Sequence, residues 1–186
     1  MHQTILQHIT ISADDYRNLV GIAQKREIKR GEVIFYPNVP NLKMLFIEKG
    51  MLRGYRIIDG KEYTHHFYVE KWFATDFESF LTGKPSMLYI ESLTNATYFE
   101  FKKEDLHTLY ISSHQLEKLG RIIAEKAFLA TVEKLRDIQT LDLKDRYQHL
   151  IEKNPDLFQK VPQKYIASYL GVSEQSLSRI KNAGIS

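Results

Sequence analysis

Cysteine is missing from all 186 positions. That excludes disulfides, thiolate-held iron–sulfur clusters and cysteine nucleophiles, and it fits a reducing cytoplasm. Long hydrophobic runs are missing too. No segment approaches the roughly 18 consecutive apolar residues that span a bilayer, and the opening MHQTILQHITISADDY has no basic stretch followed by an apolar run. The expectation is a cytoplasmic protein without a membrane partner. Neither an internal repeat nor a low-complexity tract interrupts the chain. Neither charge sign dominates: 26 Lys and Arg against 23 Asp and Glu leave a net +3, which permits nucleic-acid binding without requiring it. A composition of 43% hydrophobic and 26% charged residues is that of a globular protein. Paired catalytic carboxylates and nucleophile motifs do not stand out, so no enzymatic activity is expected.

What is present falls into three stretches, read as domains 1–111, 112–140 and 141–186. Ser12 is placed to cap a short helix, SADDYRNLVGIA, with Asp14 and Asp15 in the first turn where the helix dipole favours negative charge. Leu19, Ile22 and Ala23 form its apolar side. From Lys29 to about Lys102 the chain breaks into short β-rich runs: GEVIFY, KMLFIEKG, LRGYRIIDG, KEYTHHFYV, MLYIESL and ATYFEFK. Asp59-Gly60 is the strongest hairpin signal, because a two-residue type I′ turn needs two positive φ angles. The pattern predicts an α+β protein with a small antiparallel β-roll or barrel.

After Glu104 the period becomes helical. Leu116, Leu119, Ile123, Ala127 and Ala130 project onto one face of a helix from about Ser113 to Ile138, and Phe128, Val132 and Leu135 onto a second. A helix of this length outreaches a small roll, so one face is read as packing on the roll and another on a second copy of the chain. The first set is taken as the dimer interface, with Ala127 and Ala130 letting two backbones approach. Lys134 interrupts the stripe, which predicts a contact that thins toward the C-terminal end. A short helix at about Lys144 to Lys153 follows and ends at Asn154-Pro155. The segment from Pro155 to Val161 reads as a linker.

The last stretch, Val161 to Gly184, has the register of a helix-turn-helix. Pro162 suits the start of a helix. Ile166 and Leu170 face inward, Ala167 is small where two helices cross, and Gly171 allows the tight turn. Ser173 caps the second helix, with Leu177 and Ile180 as its inward pair. Its outward face then carries Glu174, Gln175 and Arg179, residue types that read cytosine, adenine and guanine edges. Gln163, Lys164, Ser173, Ser176 and Lys181 are placed for phosphates. Only Ile185 and Ser186 follow Gly184, so no β-hairpin wing is expected after this helix, and the unit should rely heavily on the dimer.

On these pieces the chain resembles the Crp/Fnr transcription regulators over nearly its whole length, most closely in WFATDFESFLTGKPS and YIASYLGVSEQSLSRIK. The resemblance implies a cyclic-nucleotide-binding-type β-roll (a double-stranded β-helix), a long dimerisation helix and a C-terminal helix-turn-helix. It also implies a homodimer on a near-palindromic operator, RNA polymerase as a partner, and a small-molecule effector in the roll. Matching motif positions gives Glu174, Gln175 and Arg179 as base readers. Glu174 stands where cyclic-AMP-responsive relatives carry Arg, so a different operator is expected. The family's phosphate cassette pairs Gly-Glu with Arg-Ser. Here the corresponding positions are Thr75-Asp76 and Ser86-Met87, which makes Thr75, Asp76 and Ser86 the candidate effector pocket. No arginine lies between Arg56 and Arg121 to supply a guanidinium fork, so tight cyclic-AMP binding is not expected, and neither is a cofactor.

A second reading stays beside the first: a small-molecule-binding or metal-dependent β-barrel of the cupin type whose helical tail serves only assembly. His65, His66 and Glu70 suggest it. Adjacent strand residues point to opposite faces, however, so both imidazoles would not enter one barrel interior, and no metal site is expected.

Overall fold

Asp59 and Gly60 both adopt positive φ, 50° and 75°, and turn the chain directly from β4 (Leu52–Ile58) into β5 (Lys61–Tyr68). This is the two-residue hairpin that the Asp-Gly pair demands. The computed structural model describes residues 1–183, with side chains as far as Lys181. Gly184 and the residues on which the expectation about a wing rests lie outside the described residues.

The remaining strands are β1 (Gln24–Ile28), β2 (Val33–Phe35), β3 (Lys43–Lys49), β6 (Phe73–Ala74), β7 (Tyr89–Ser92) and β8 (Ala96–Lys102). They form two four-stranded sheets, ordered β1-β8-β3-β6 and β2-β7-β4-β5. The ladders β1–β8, β3–β8, β3–β6 and β2–β7 are antiparallel. The fold is therefore α+β with two open sheets and no closed barrel. Leu45, Ile47, Leu52, Tyr68 and Ile90 fill one apolar cluster. Phe46, Phe101 and Leu106 join Ile5 and Leu19 in another. Leu45 and Phe46 enter different clusters because neighbouring strand residues face opposite ways.

Helices α1 (His2–Leu6) and α2 (Ala13–Gly21) come first. Ser12 caps α2 by accepting the Asp15 N–H at 3.0 Å, and Leu19 is buried while Ile22 and Ala23 pack beside it. A short helix that the sequence reading did not anticipate, α3 (Phe77–Thr82), starts at Asp76 and ends at Gly83 in the left-handed region. The helical stretch after Glu104 is two helices, α4 (Lys103–Ser112) and α5 (His114–Thr140), broken at Ser113, whose φ and ψ of −139° and 112° are extended. They meet at Gly120, where a Cβ would come within 2.7 Å of the Tyr110 ring. Any larger residue there would have to push the Tyr110 ring aside.

The rest comprises α6 (Leu143–Lys153), α7 (Leu157–Lys160), α8 (Gln163–Leu170) and α9 (Glu174–Ala183). Asp142 caps α6 through the Asp145 N–H at 2.9 Å. The expected linker holds one helical turn, α7, because Leu157 is buried and draws the segment onto an apolar core. Among the described residues no helix is long and apolar enough to cross a membrane. By compactness the chain separates into two units, residues 1–54 with 67–128, and residues 55–66 with 129–186.

The dimer assignment on α5 needs correction. Leu116, Leu119 and Ile123 are consumed in the protomer's own core beside Phe46 and Phe101, and Ala127 is half-buried. Of the five, Ala130 alone is exposed. The large apolar residues left open on this helix are Phe128, Leu129, Val132, Leu135 and Ile138. At 100° per residue, Phe128, Val132 and Leu135 lie roughly 140° around the helix from the buried stripe.

Candidate nucleic-acid interface

The terminal hairpin is built on four buried residues: Ile166, Ala167 and Leu170 on α8 and Leu177 on α9, with Ile180 half-buried. Gly171 takes φ 73° and closes α8, and the Val172 N–H reaches back to the Ala167 carbonyl at 3.0 Å. This is a left-handed cap that satisfies the last carbonyls of the helix. Ser173 then opens α9, its Oγ accepting the Ser176 N–H at 3.2 Å. The reversal is thus fixed by one glycine and one serine, with an apolar crossing beneath them.

Above that crossing, Glu174, Gln175 and Arg179 are all exposed. None of the three has a side-chain hydrogen bond or ion pair among the described residues. An exposed helix face bearing one acceptor, one amide and one guanidinium matches the donor and acceptor sets of base edges. Gln163 and Lys164 are exposed at the start of α8, with the Lys164 ammonium 4.8 Å from the Tyr165 ring centre. Ser173 is exposed, whereas Ser176 and Lys181 are half-buried, and the two serine hydroxyls lie 3.0 Å apart. Their polar atoms are therefore partly spent within the helix start.

Two further residues, Ser168 within the motif and Lys134 outside it, hold this unit together. The Ser168 hydroxyl on α8 donates to the Glu62 carbonyl at 2.9 Å and accepts the Thr64 N–H at 2.8 Å. It completes hydrogen bonds along β5, the last strand in its sheet's order, where backbone groups otherwise lack a partner strand. Lys134 does the same from α5: its ammonium donates to the His65 carbonyl at 2.8 Å and lies 3.9 Å from the Tyr169 ring centre. Burial lowers the Lys134 pKa to about 8 and raises that of Tyr169 to about 12. Burial, with the charges of His65 and Lys134, holds His66 down at about 4. Lys134 is thus a tether and not an interruption. At the base of the unit His149 bonds Asp137 at 2.8 Å, and Lys153 pairs with Glu133.

In the roll, Thr75, Asp76 and Ser86 do come together, at 2%, 7% and 2% exposure. The Ser86 hydroxyl donates to Asp76 at 2.6 Å, and the other Asp76 oxygen caps α3. Thr75 donates to the Lys43 carbonyl at 2.8 Å and accepts from the Asn41 amide at 3.1 Å, and its own carbonyl accepts from the Tyr68 hydroxyl. The Tyr68 ring lies 3.2 Å from where a Cβ on Gly54 would stand. A guanidinium is present as well: Arg53 on β4 is wholly buried, with Nε and a terminal nitrogen both 2.7 Å from Glu91. Each of these groups is already paired within the protein. Among the described residues no three His, Asp or Glu gather as a metal site, and His65 is exposed while His66 is half-buried.

No family model and no curated protein matches the sequence. Solved structures do match. FixK2 from Bradyrhizobium japonicum aligns at 15% identity over 87% of this chain and 84% of its own, with a TM-score of 0.76. A protein from Eubacterium rectale assigned to the Crp/Fnr family of transcriptional regulators aligns at 16% identity over 91% and 82%, with a TM-score of 0.70. The c-di-GMP-responsive global regulator CLP of Xanthomonas campestris aligns at 17% over 92% and 91%, with a TM-score of 0.68. The fold is that of the Crp/Fnr regulators.

Within the Crp/Fnr fold, sequence reading missed Arg53, Ser168 and Lys134 as structural ties. Arg53 carried a signal, since an arginine within the apolar run MLRGY on a strand either opens the core or is paired inside it. Ser168 carried none. A serine in a helix reads as a solvated residue until the strand beside it is known.

Proposed function

We propose that the protein is a homodimeric, sequence-specific DNA-binding transcription regulator, not an enzyme, acting in the cytoplasm on a near-palindromic operator. The exposed trio Glu174, Gln175 and Arg179 on a helix fixed by Ser173 and Leu177 carries this reading. The likeness of fold to FixK2 and CLP supports it. Gln163, Lys164, Ser173, Ser176 and Lys181 hold phosphates and set register, while the trio reads bases. Regulation then passes through RNA polymerase. The domain roles follow the chain: roll in 1–111, dimerisation in 112–140, DNA reading in 141–186.

The dimer forms through Phe128, Val132 and Leu135, the exposed apolar stripe of α5. Two such stripes bury each other as in a coiled coil. Val132→Asp should turn the dimer into a monomer in sedimentation; a variant that still sediments as a dimer would place the contact elsewhere.

Cyclic AMP is not the effector. Asp76 and Arg53, the acceptor and the guanidinium that a cyclic nucleotide would need, are committed to Ser86 and Glu91. A calorimetric titration should give no heat of binding at micromolar cyclic AMP. No observation favours the cupin-like reading, since the sheets stay open. Selection from random duplexes decides between the two: a two-fold motif with half-sites about one helical turn, roughly 34 Å, apart supports the regulator. Unselected recovery at moderate salt would reject it.

A further inference from the structure

A concave surface in the roll unit takes no part in the reading above. The connection after β2 and the start of α4 enclose a cleft of about 330 Å³. Its apolar lining includes Ile34, Phe35, Tyr36, Val39 and Leu42. Phe35 is buried, whereas Tyr36, Val39 and Leu42 are open to solvent. Exposed apolar side chains around a concavity mark binding surfaces more often than scattered ones do.

The wall is pre-formed. Asn38 donates its N–H to the Ser86 carbonyl at 2.8 Å, and Ser86 returns its own N–H to the Val39 carbonyl at 2.9 Å. Asn41 is held by the Ser79 hydroxyl at 2.8 Å, and the Lys103 N–H donates to the Leu42 carbonyl at 2.9 Å. Little ordering is left to be done on binding.

The polar lining is mainly cationic. Lys43, Lys102 and Lys103 face one carboxylate, Glu104. Lys43 is engaged by Glu100 at 2.9 Å, and Lys103 by the Leu81 carbonyl at 3.1 Å. Lys102 is exposed, and its ammonium has no hydrogen bond or ion pair among the described residues. A cleft this small excludes a helix, which is about 10–12 Å across with its side chains. It suits one short apolar chain with a single negative end, because a second negative charge would meet Glu104.

We propose that this cleft is a binding site for a small apolar monocarboxylate, its chain on Ile34, Val39 and Leu42 and its carboxylate on Lys102. Thr75 and Ser86 brace its wall but, like Asp76, do not line it, and the site does not depend on DNA binding. The test uses the full chain with labelled Ile, Leu and Val methyls, titrated with octanoate and with 1-octanol below their aggregation limits. Octanoate should give saturable shifts at Ile34, Val39 and Leu42, and 1-octanol should bind roughly tenfold more weakly for want of the charged contact. Lys102→Glu should weaken octanoate by roughly tenfold or more and leave 1-octanol unchanged, which also shows the cleft intact. Val39→Asp should remove both. Equal affinity for acid and alcohol would overturn the proposal, as would an unchanged octanoate affinity in Lys102→Glu. So would shifts at these methyls that follow protein concentration alone, since a second copy of the chain would then be covering the cleft.

Discussion

The roll and the helical unit handle polar groups in opposite ways. In the roll, Asn41, Arg53, Thr75, Asp76 and Ser86 are buried, Arg53 paired with Glu91 and the others bonding one another or nearby backbone. On α9, Glu174, Gln175 and Arg179 are exposed and keep their bonding capacity open. A buried polar group costs free energy unless it is paired, so the first set is bound to structure. An exposed group costs nothing to leave open, so the second set is available for a ligand. The contrast separates a region whose polar residues are spent on the fold from one whose polar residues are left open to solvent.

Substitutions can break that comparison. The largest effect is expected at Glu91→Ala, which removes a carboxylate from the buried Arg53 and should cost about 3 to 5 kcal/mol in denaturant unfolding. Asp76→Ala loses a helix cap and the Ser86 acceptor, for about 2 to 3 kcal/mol. Ser168→Ala removes two hydrogen bonds to β5 and should cost about 1 to 2 kcal/mol. Glu174→Ala should stay within about 0.5 kcal/mol of the parent, as exposed positions do. A loss at Glu174 as large as that at Asp76 would erase the distinction.

Lys134 sharpens it through pH. Its pKa in the folded protein, about 8, lies below the ordinary lysine value of 10.5. Between those values the unfolded chain binds the proton and the folded chain does not, so this group makes stability rise with pH from about 8 to 10.5. Below 8 both states carry the proton and the contribution is flat. Lys134→Met should remove the rise, measured as the difference between the two unfolding profiles; identical slopes would show that the tether is not titrating.

Much of this was legible from residues alone. Asp59-Gly60, Ser12, Gly171 and Ser173 each act through local backbone geometry, which a short stretch of sequence specifies. The faces of α5 were legible as periodicity but not as destination. Leu116 and Phe128 look alike in sequence, and only the packing shows that the first meets the protomer's own core and the second faces outward. Ser168, Lys134 and Arg53 depend on partners 38 to 106 positions away, a separation that no local pattern reports. The trio on α9 was placed by helical spacing, and the structure finds all three side chains exposed.

The most direct test measures the affinity of the parent and of Arg179→Ala for the duplex recovered by selection and for a scrambled duplex at one salt concentration. A base contact should lose about 1 to 3 kcal/mol on the selected duplex with little change on the scrambled one. Equal losses on both would make Arg179 a phosphate contact and contradict the claim that the exposed face of α9 reads sequence.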